Sequence, residues 1–330
     1  MSNSIRYRSR KNRNSRIKRT KKIPKKSAST NNSSDFRSML SLNNPHNQVY
    51  EGSIFNYKSV KKTSYKGNGE DLFFSFRYLS EKYNRFFIPM GDFEDGVIMW
   101  NILTSWKCDS FMDKKFKLNL PKPKESFIQD IKRIFNDKER KIRFILLPLY
   151  LGSSDCRVEK GHFNIAIVDV KYKTYERFEP YGYSVNMYIH RPLNSKIKKI
   201  FKEAGIKLKI IELNEYLPKI SFQEIEEREL EKSIASLRET DPGGFCGSWA
   251  VWYVELVFKN KHLTRKELIK KTIKLIKDKS NFRNFIRNYS AHLVRSRKEL
   301  LKNISEECAK SIDGNQYFRC TKEYITNYIK

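Results

Sequence analysis

Residues 143–179 read RFILLPLYL, GSSDCRVEKG, HFNIAIVDV, KYK, TYERFE, and this stretch decides the fold. The first nine residues are a nearly continuous apolar run, the mark of a strand buried on both faces. A polar loop bounded by Gly152 and Gly161 separates them from residues 162–170, a second strand of the same kind. Lys171, Tyr172 and Lys173 make a polar turn, and residues 174–179 form a third strand closed by Pro180, Tyr181 and Gly182. Working outward, residues 193–204 predict an amphipathic helix stopped by Gly205, and residues 207–213 a fourth strand. Beyond them the pattern is helical: 222–237, 249–258, 264–277 and 281–303. Strands followed by a run of helices predict an α+β chain, a mixed central sheet flanked by helices.

Upstream, residues 43–137 mix aromatic clusters such as Phe73-Phe74-Ser75-Phe76 with polar loops. Pro121 and Pro123 break the chain before a helix over 125–135 that places Phe127, Ile128, Ile131 and Ile134 on one face. Asp92, Glu94 and Asp95 read as a solvated loop rather than a metal cluster. No metal or cofactor is expected elsewhere.

Composition bounds the partners. A hydrophobic fraction of 39%, with 22 Phe, 18 Tyr and 4 Trp, is ample for a core. No apolar run approaches the length of a membrane span, and the basic, polar N-terminus lacks the apolar region of a secretory signal. The five cysteines (108, 156, 246, 308, 320) show neither paired metal spacing nor a disulfide framework, so reduced thiols in an intracellular or intravirion setting are expected. The net charge of +30 points to polyanions, nucleic acid above all. Twelve of those charges (Arg6, Arg8, Arg10, Lys11, Arg13, Arg16, Lys18, Arg19, Lys21, Lys22, Lys25, Lys26) precede the first acid, Asp35. Residues 1–34 therefore predict a disordered basic arm that binds nucleic acid or directs nuclear import. The rest of the chain still carries +18.

The chemistry centres on Asp241-Pro242-Gly243-Gly244-Phe245-Cys246-Gly247-Ser248-Trp249. A turn-forming dipeptide and two glycines deliver a cysteine to the start of an apolar helix, where N–H groups are unpaired and the helix dipole favours a thiolate. Such a thiol needs a base. His46 lies in a Pro/Asn loop, His190 precedes a helix, and His262 and His292 sit in basic helical surroundings. His162 instead stands after Gly161 at the mouth of a buried strand, where its ring can face a cleft. An acid must then orient it. Asp169, on the same strand, is about 23 Å away at roughly 3.3 Å per residue, too far to serve. The turn at 171–173 folds Glu179 back to within about two residues of opposite His162, at a strand spacing of about 4.8 Å. Glu176 takes the role if the register slips. Trp249 and Trp252, a turn apart, read as core.

The order Gly-His on a strand, an acid ending the next strand, and Gly-Phe-Cys-Gly-Ser-Trp opening a helix resembles the adenain and SUMO-specific protease superfamily of cysteine peptidases. Its large-DNA-virus branch is the nearest in character. The resemblance spans about residues 141–303 and implies a papain-like/adenain-like core with His162 as base, Glu179 as orienter and Cys246 as nucleophile. That family places an oxyanion-hole glutamine shortly before the cysteine, and here residues 239–245 contain none. Either Gln223 supplies it across a charged insertion, or backbone N–H groups near Gly244–Cys246 do.

The implied activity is endopeptidase cleavage after small or Gly residues in viral structural precursors. Polyanions such as DNA are possible activators. The setting is the virion, the host cytoplasm or viral factory, or, through the tail, the nucleus. The alternatives are removal of SUMO or ubiquitin from host proteins, acyl transfer on the same scaffold, and an inactive nucleic-acid-binding virion protein. In this reading residues 35–140 are an N-terminal extension (a lid or docking segment), 141–304 the catalytic core and 305–330 a C-terminal extension.

Overall fold

The computed structural model describes residues 54–57, 60, 63–91, 101–110, 115–153, 158–183, 187–231, 244–311 and 314–328. The basic arm (residues 6–26), the Asp92–Glu94–Asp95 group, His46, Cys156 and residues 232–243 lie outside them.

The chain enters through α1 (Gly69–Lys82), capped by the Asn68 side chain on the Asp71 N–H. Then come β1 (Phe86–Phe87), β2 (Thr104–Ser110), β3 (Lys115–Asn119) and α2 (Lys124–Asn136), which buries Phe127, Ile131 and Ile134. The apolar runs read in the sequence become β4 (Phe144–Ser153), β5 (Val158–Asp169) and β6 (Thr174–Phe178). They are followed by α3 (Met187–Glu203), β7 (Lys209–Ile211), a single turn α4 (Leu213–Tyr216) and α5 (Phe222–Glu231). The rest is helical: α6 (Cys246–Lys259), α7 (Arg265–Lys279), α8 (Phe282–Lys302), α9 (Glu306–Lys310) and α10 (Gly314–Tyr328).

The strands make one mixed sheet, ordered β3-β2-β4-β5-β6-β7, with β1 added in parallel to the start of β4. β4, β5 and β6 are antiparallel neighbours, while β2 joins β4 and β7 joins β6 in parallel. Alternation along β4 and β5 sends side chains to opposite faces. Ile145, Leu147, Ala166 and Val168 meet α2 and α3 on one side. Phe144, Leu146, Ile165 and Ile167 meet α1, α6 and the C-terminal helices on the other. The two apolar faces explain why β4 reads as an unbroken hydrophobic run. The chain is thus α+β, a mixed sheet flanked by helices.

The described residues between 54 and 140 share this body. α1 packs in the same core as α6 and α8, and β2 and β3 extend the sheet. α6 is apolar all round and buried from Gly247 to Val257, as expected of a central helix. Its one buried carboxylate, Glu255, is held by Tyr78, Tyr83 and Tyr289 hydroxyls at 3.1, 3.2 and 2.8 Å and by Lys82 at 2.9 Å. Those donors replace the water that burial removes. No helix among the described residues is long and apolar enough to cross a membrane.

One sequence expectation fails. Cys308 of α9 and Cys320 of α10 form a disulfide, their Cα atoms 5.6 Å apart. Gly314, the first residue of α10, stands at φ +77°, a backbone state glycine adopts without steric cost. Both cysteines are buried in the main core. An odd cysteine count without a regular spacing pattern hid a single local pair.

Candidate active site

Cys246 is the first residue of α6. The residue before it, Phe245, offers no side-chain cap, so the thiol sits beside the unpaired first-turn N–H groups. Cys246 is half-buried and in no disulfide. Gly247 follows because space is absent: a Cβ there would meet Leu72 Cδ2 at 3.1 Å and Tyr65 Oη at 3.5 Å. Behind the first turn, Trp249 and Trp252 are fully buried with Phe222 and Phe285. They belong to the core, as their spacing predicts.

His162 lies on β5 opposite Leu151 of β4. The β5–β6 register pairs Ile165 with Phe178. Glu179 therefore emerges one residue past β6, almost alongside the imidazole. Its Oε1 is 2.6 Å from His162 Nε2 and also accepts the Tyr181 N–H at 3.2 Å. Arg177 Nη1 lies 3.8 Å from Oε2, and the carboxylate is 1% exposed. With Nε2 committed to Glu179, Nδ1 is the nitrogen left for the Cys246 sulfur. Burial disfavours a charged ring, but the Glu179 charge and the hydrogen bond to Cys246 outweigh it and raise the His162 pKa to about 10. The ring is cationic at neutral pH. Tyr181 packs on it at a centroid distance of 5.1 Å.

Gln223 also reaches this site. The turn after β6 is tied to the approach of α5 by backbone bonds: Tyr183 N–H to Pro218, Ser221 N–H to Tyr181 and Gln223 N–H to Pro180, at 3.2, 2.9 and 2.9 Å. Gly182 makes the close approach possible. At φ +111°, its missing Cβ would lie 2.5 Å from the Lys219 carbonyl oxygen. The same turn thus sets Glu179 on one side and the first turn of α5 on the other. Gln223 is buried, and its Nε2 packs on Gly244, two residues before Cys246, so closely that a Cβ at Gly244 would come within 3.2 Å. The inserted residues 232–243 separate Gln223 from Cys246 in sequence while the fold brings them together.

The remaining sequence candidates fall elsewhere. Glu176, the fallback acid, pairs with Ile167 in register and is held by Arg265 at 2.6 and 2.7 Å. Asp169 binds Arg143 at 2.8 Å at the far end of β5. His190 is in α3, His262 is exposed between α6 and α7, and His292 Nε2 contacts Tyr78 Oη at 2.9 Å. Sequence reasoning missed three residues beside the site: Tyr65, Tyr181 and Glu227. Tyr181 sits inside a Pro-Tyr-Gly turn, a pattern that signals only the end of a strand, and Glu227 follows Gln223 by one helical turn, a spacing that signals contact. Among the described residues, no group of three His, Cys, Asp or Glu side chains is arranged to hold a metal.

No family model matches the sequence. Over 178 residues, half of this chain, it is 30% identical to a putative ankyrin repeat protein of Acanthamoeba polyphaga mimivirus, and that match spans 22% of the mimivirus protein. Among solved structures, the Chlamydia trachomatis effector protein ChlaDUB1 is similar at a TM-score of 0.38 and 10% identity, over 83% of this chain and 95% of that one. The Chlamydia abortus effector ChlaDUB overlaps at TM-score 0.35 and 12% identity, over 68% and 98%. The SUMO protease Ulp1 overlaps at 0.30 and 14%, over 81% and 97%. None of these overlaps assigns an activity to the chain.

Proposed function

We propose that the chain is a cysteine peptidase, with Cys246 as nucleophile, His162 as its acid and base, Glu179 as orienter and Gln223 as oxyanion donor. The observation that carries this reading is the alignment of four groups from four parts of the chain: thiol, imidazole, buried carboxylate and primary amide. A charged histidine next to a helix-N-terminal cysteine is the arrangement that activates a thiol nucleophile. The Cys246 thiolate adds to the carbonyl carbon, and the oxygen takes up negative charge beside Gln223. As the C–N bond breaks, the Nδ1 proton of His162 passes to the leaving amine. Neutral His162 then takes a proton from water, whose oxygen attacks the thioester; the C–S bond breaks, the carboxylic product leaves, and the Cys246 thiolate beside protonated His162 is regenerated.

The substrate is a protein or polyprotein with small residues, Gly above all, before the scissile bond. The close packing of the Gln223 amide on Gly244, two residues before the thiol, supports this. The partial likeness to a mimivirus protein supports a viral setting, in which the proposed substrates are structural precursors. The deciding experiment compares wild type with C246A on fluorogenic peptides ending in Gly-Gly, on ubiquitin and SUMO C-terminal conjugates, and on acetyl-CoA. Cys246-dependent cleavage of the peptides is expected. Cleavage of the conjugates alone would replace precursor processing with host deconjugation, and acetyl-CoA consumption would replace hydrolysis with acyl transfer. Equal rates in wild type and C246A would remove the nucleophile.

A further inference from the structure

The Gln223 amide has two ends of similar outline and opposite chemistry, and three distances fix which end does what. Nε2 is 3.1 Å from Tyr181 Oη and 3.2 Å from Glu227 Oε1. Those two oxygens are themselves 2.5 Å apart. They subtend only about 45° at Nε2, whereas the two N–H bonds of a primary amide diverge by about 120°. One N–H is therefore shared between both acceptors as a three-centre bond. The second N–H is left over, on a nitrogen packed against Gly244.

The orientation is chemically enforced. Glu227 Oε1 already takes the Tyr181 hydroxyl proton and has only a lone pair left to offer, so it turns away the Gln223 oxygen and holds its nitrogen. Tyr181 donates its hydroxyl proton to Glu227 and offers a lone pair to the amide. The same Tyr181 donates its backbone N–H to Glu179 and lays its ring on His162.

We propose that Tyr181 and Glu227 are positioning residues that hold Gln223 as an N–H donor to the oxyanion. The proposal rests on Cys246 being an acyl-transfer nucleophile. Without Glu227 the amide can present its oxygen to the cleft, where it would repel the developing charge.

Two reactions of the same thiol separate this role from a structural one. A p-nitrophenyl ester of an N-acylglycine builds an oxyanion as it acylates Cys246, and its leaving group needs no proton. Iodoacetamide alkylates the same sulfur by displacement at a saturated carbon and builds none. With the full chain, Y181F and E227Q should acylate about 10–100-fold more slowly than wild type, less than the roughly 10²–10³-fold lost with a whole oxyanion donor, because the amide is misoriented rather than removed. Their alkylation rates should stay within about twofold. Y181F added to Q223A should slow acylation no further, because both act through one amide. Wild-type acylation in Y181F and E227Q, equal slowing of both reactions, or an additive double variant would each overturn the positioning role. If Y181F does not fold, E227Q carries the test alone. A wild-type protein that alkylates at Cys246 but never acylates would overturn the proposed function itself, and the positioning role with it.

Discussion

His162 Nε2 and Glu179 Oε1 stand 2.6 Å apart across seventeen residues of chain. The turn at residues 170–173 and the pairing of Ile165 with Phe178 place them there; continued one step further, that register sets Asn164 opposite Glu179. Because the carboxylate is buried, its field on the imidazole is little screened.

The first prediction concerns that field. The His162 pKa, ordinarily 6.5, is raised to about 10 in the folded protein. A raised value means that the folded state holds its proton more tightly than the unfolded chain does. The stabilisation is fully present below pH 6.5 and is lost as pH rises from 6.5 through about 10. E179Q removes the charge and lowers the imidazole pKa. The stability gap between wild type and E179Q, followed by urea denaturation, should be widest near pH 6 and narrow towards pH 10. The alkaline limb of Cys246 alkylation should move to lower pH in E179Q, and kcat/KM should fall by at least about 10²-fold. A gap independent of pH would refute the ion-pair account.

A second prediction tests the packing of Gln223 on Gly244. A methyl group at residue 244 would stand 3.2 Å from Nε2, tighter than ordinary contact, and the buried amide has little room to retreat. G244A should slow acylation about 10–100-fold while iodoacetamide still reacts at the wild-type rate. Stability should change by less than about 1 kcal/mol, since the site is at a loop–helix junction and no lost contact is involved. Unchanged acylation would place the oxyanion elsewhere, at the backbone N–H groups of the first turn of α6.

The parts of this site that were legible in the sequence are those fixed by local pattern. β4 to β6 announce themselves by apolar runs and a polar turn, and strand arithmetic then brings Glu179 to His162. Gly243-Gly244 before an apolar helix announces the position of Cys246. What the sequence concealed depends on long-range packing. β3 is a short strand at the sheet edge, where Lys115 and Lys117 are exposed, and its neighbour β2 is rich in polar residues, so both lack the apolar signature of the central strands. α1 carries aromatic residues on most faces because it is buried between α6 and α8, which blurs its helical period. The position of Gln223 beside Gly244 depends on backbone bonds from residues 218–223 to residues 180–183, which no local pattern signals. Tyr181 was hidden by its company, since a tyrosine between Pro and Gly reads as part of a turn.

The Cys308–Cys320 bond yields a third prediction. It closes a loop with a sequence separation of 12, for which the chain-entropy model gives about 3 kcal/mol of stabilisation. C308A/C320A should lower Tm by roughly 5–10 °C. The bond ties α9 to α10, away from Cys246, so peptide cleavage at 25 °C should be unaffected. A melting temperature that matches wild type in non-reducing buffer would show that the bond contributes nothing to the fold.

The fourth prediction concerns the basic arm, whose twelve cations stand before the first acid of the chain. Each phosphate neutralised by a bound cation releases counterions, so log K falls against log salt with a slope of about −0.9 per contact on duplex DNA. If the arm binds DNA, deleting residues 1–34 should cut the magnitude of that slope by several units, up to about 11 for full engagement. Affinity should drop uniformly across unrelated sequences, because phosphate contacts carry no base information. The remaining +18 should sustain weaker, salt-sensitive binding. Peptide cleavage by the truncated protein in the absence of DNA should equal that of the full chain, whereas any stimulation by DNA should vanish. Fluorescence anisotropy of a labelled duplex between 50 and about 300 mM salt reads both quantities. A slope and affinity unchanged by the deletion would move the polyanion contact to the folded body and leave the arm without this role.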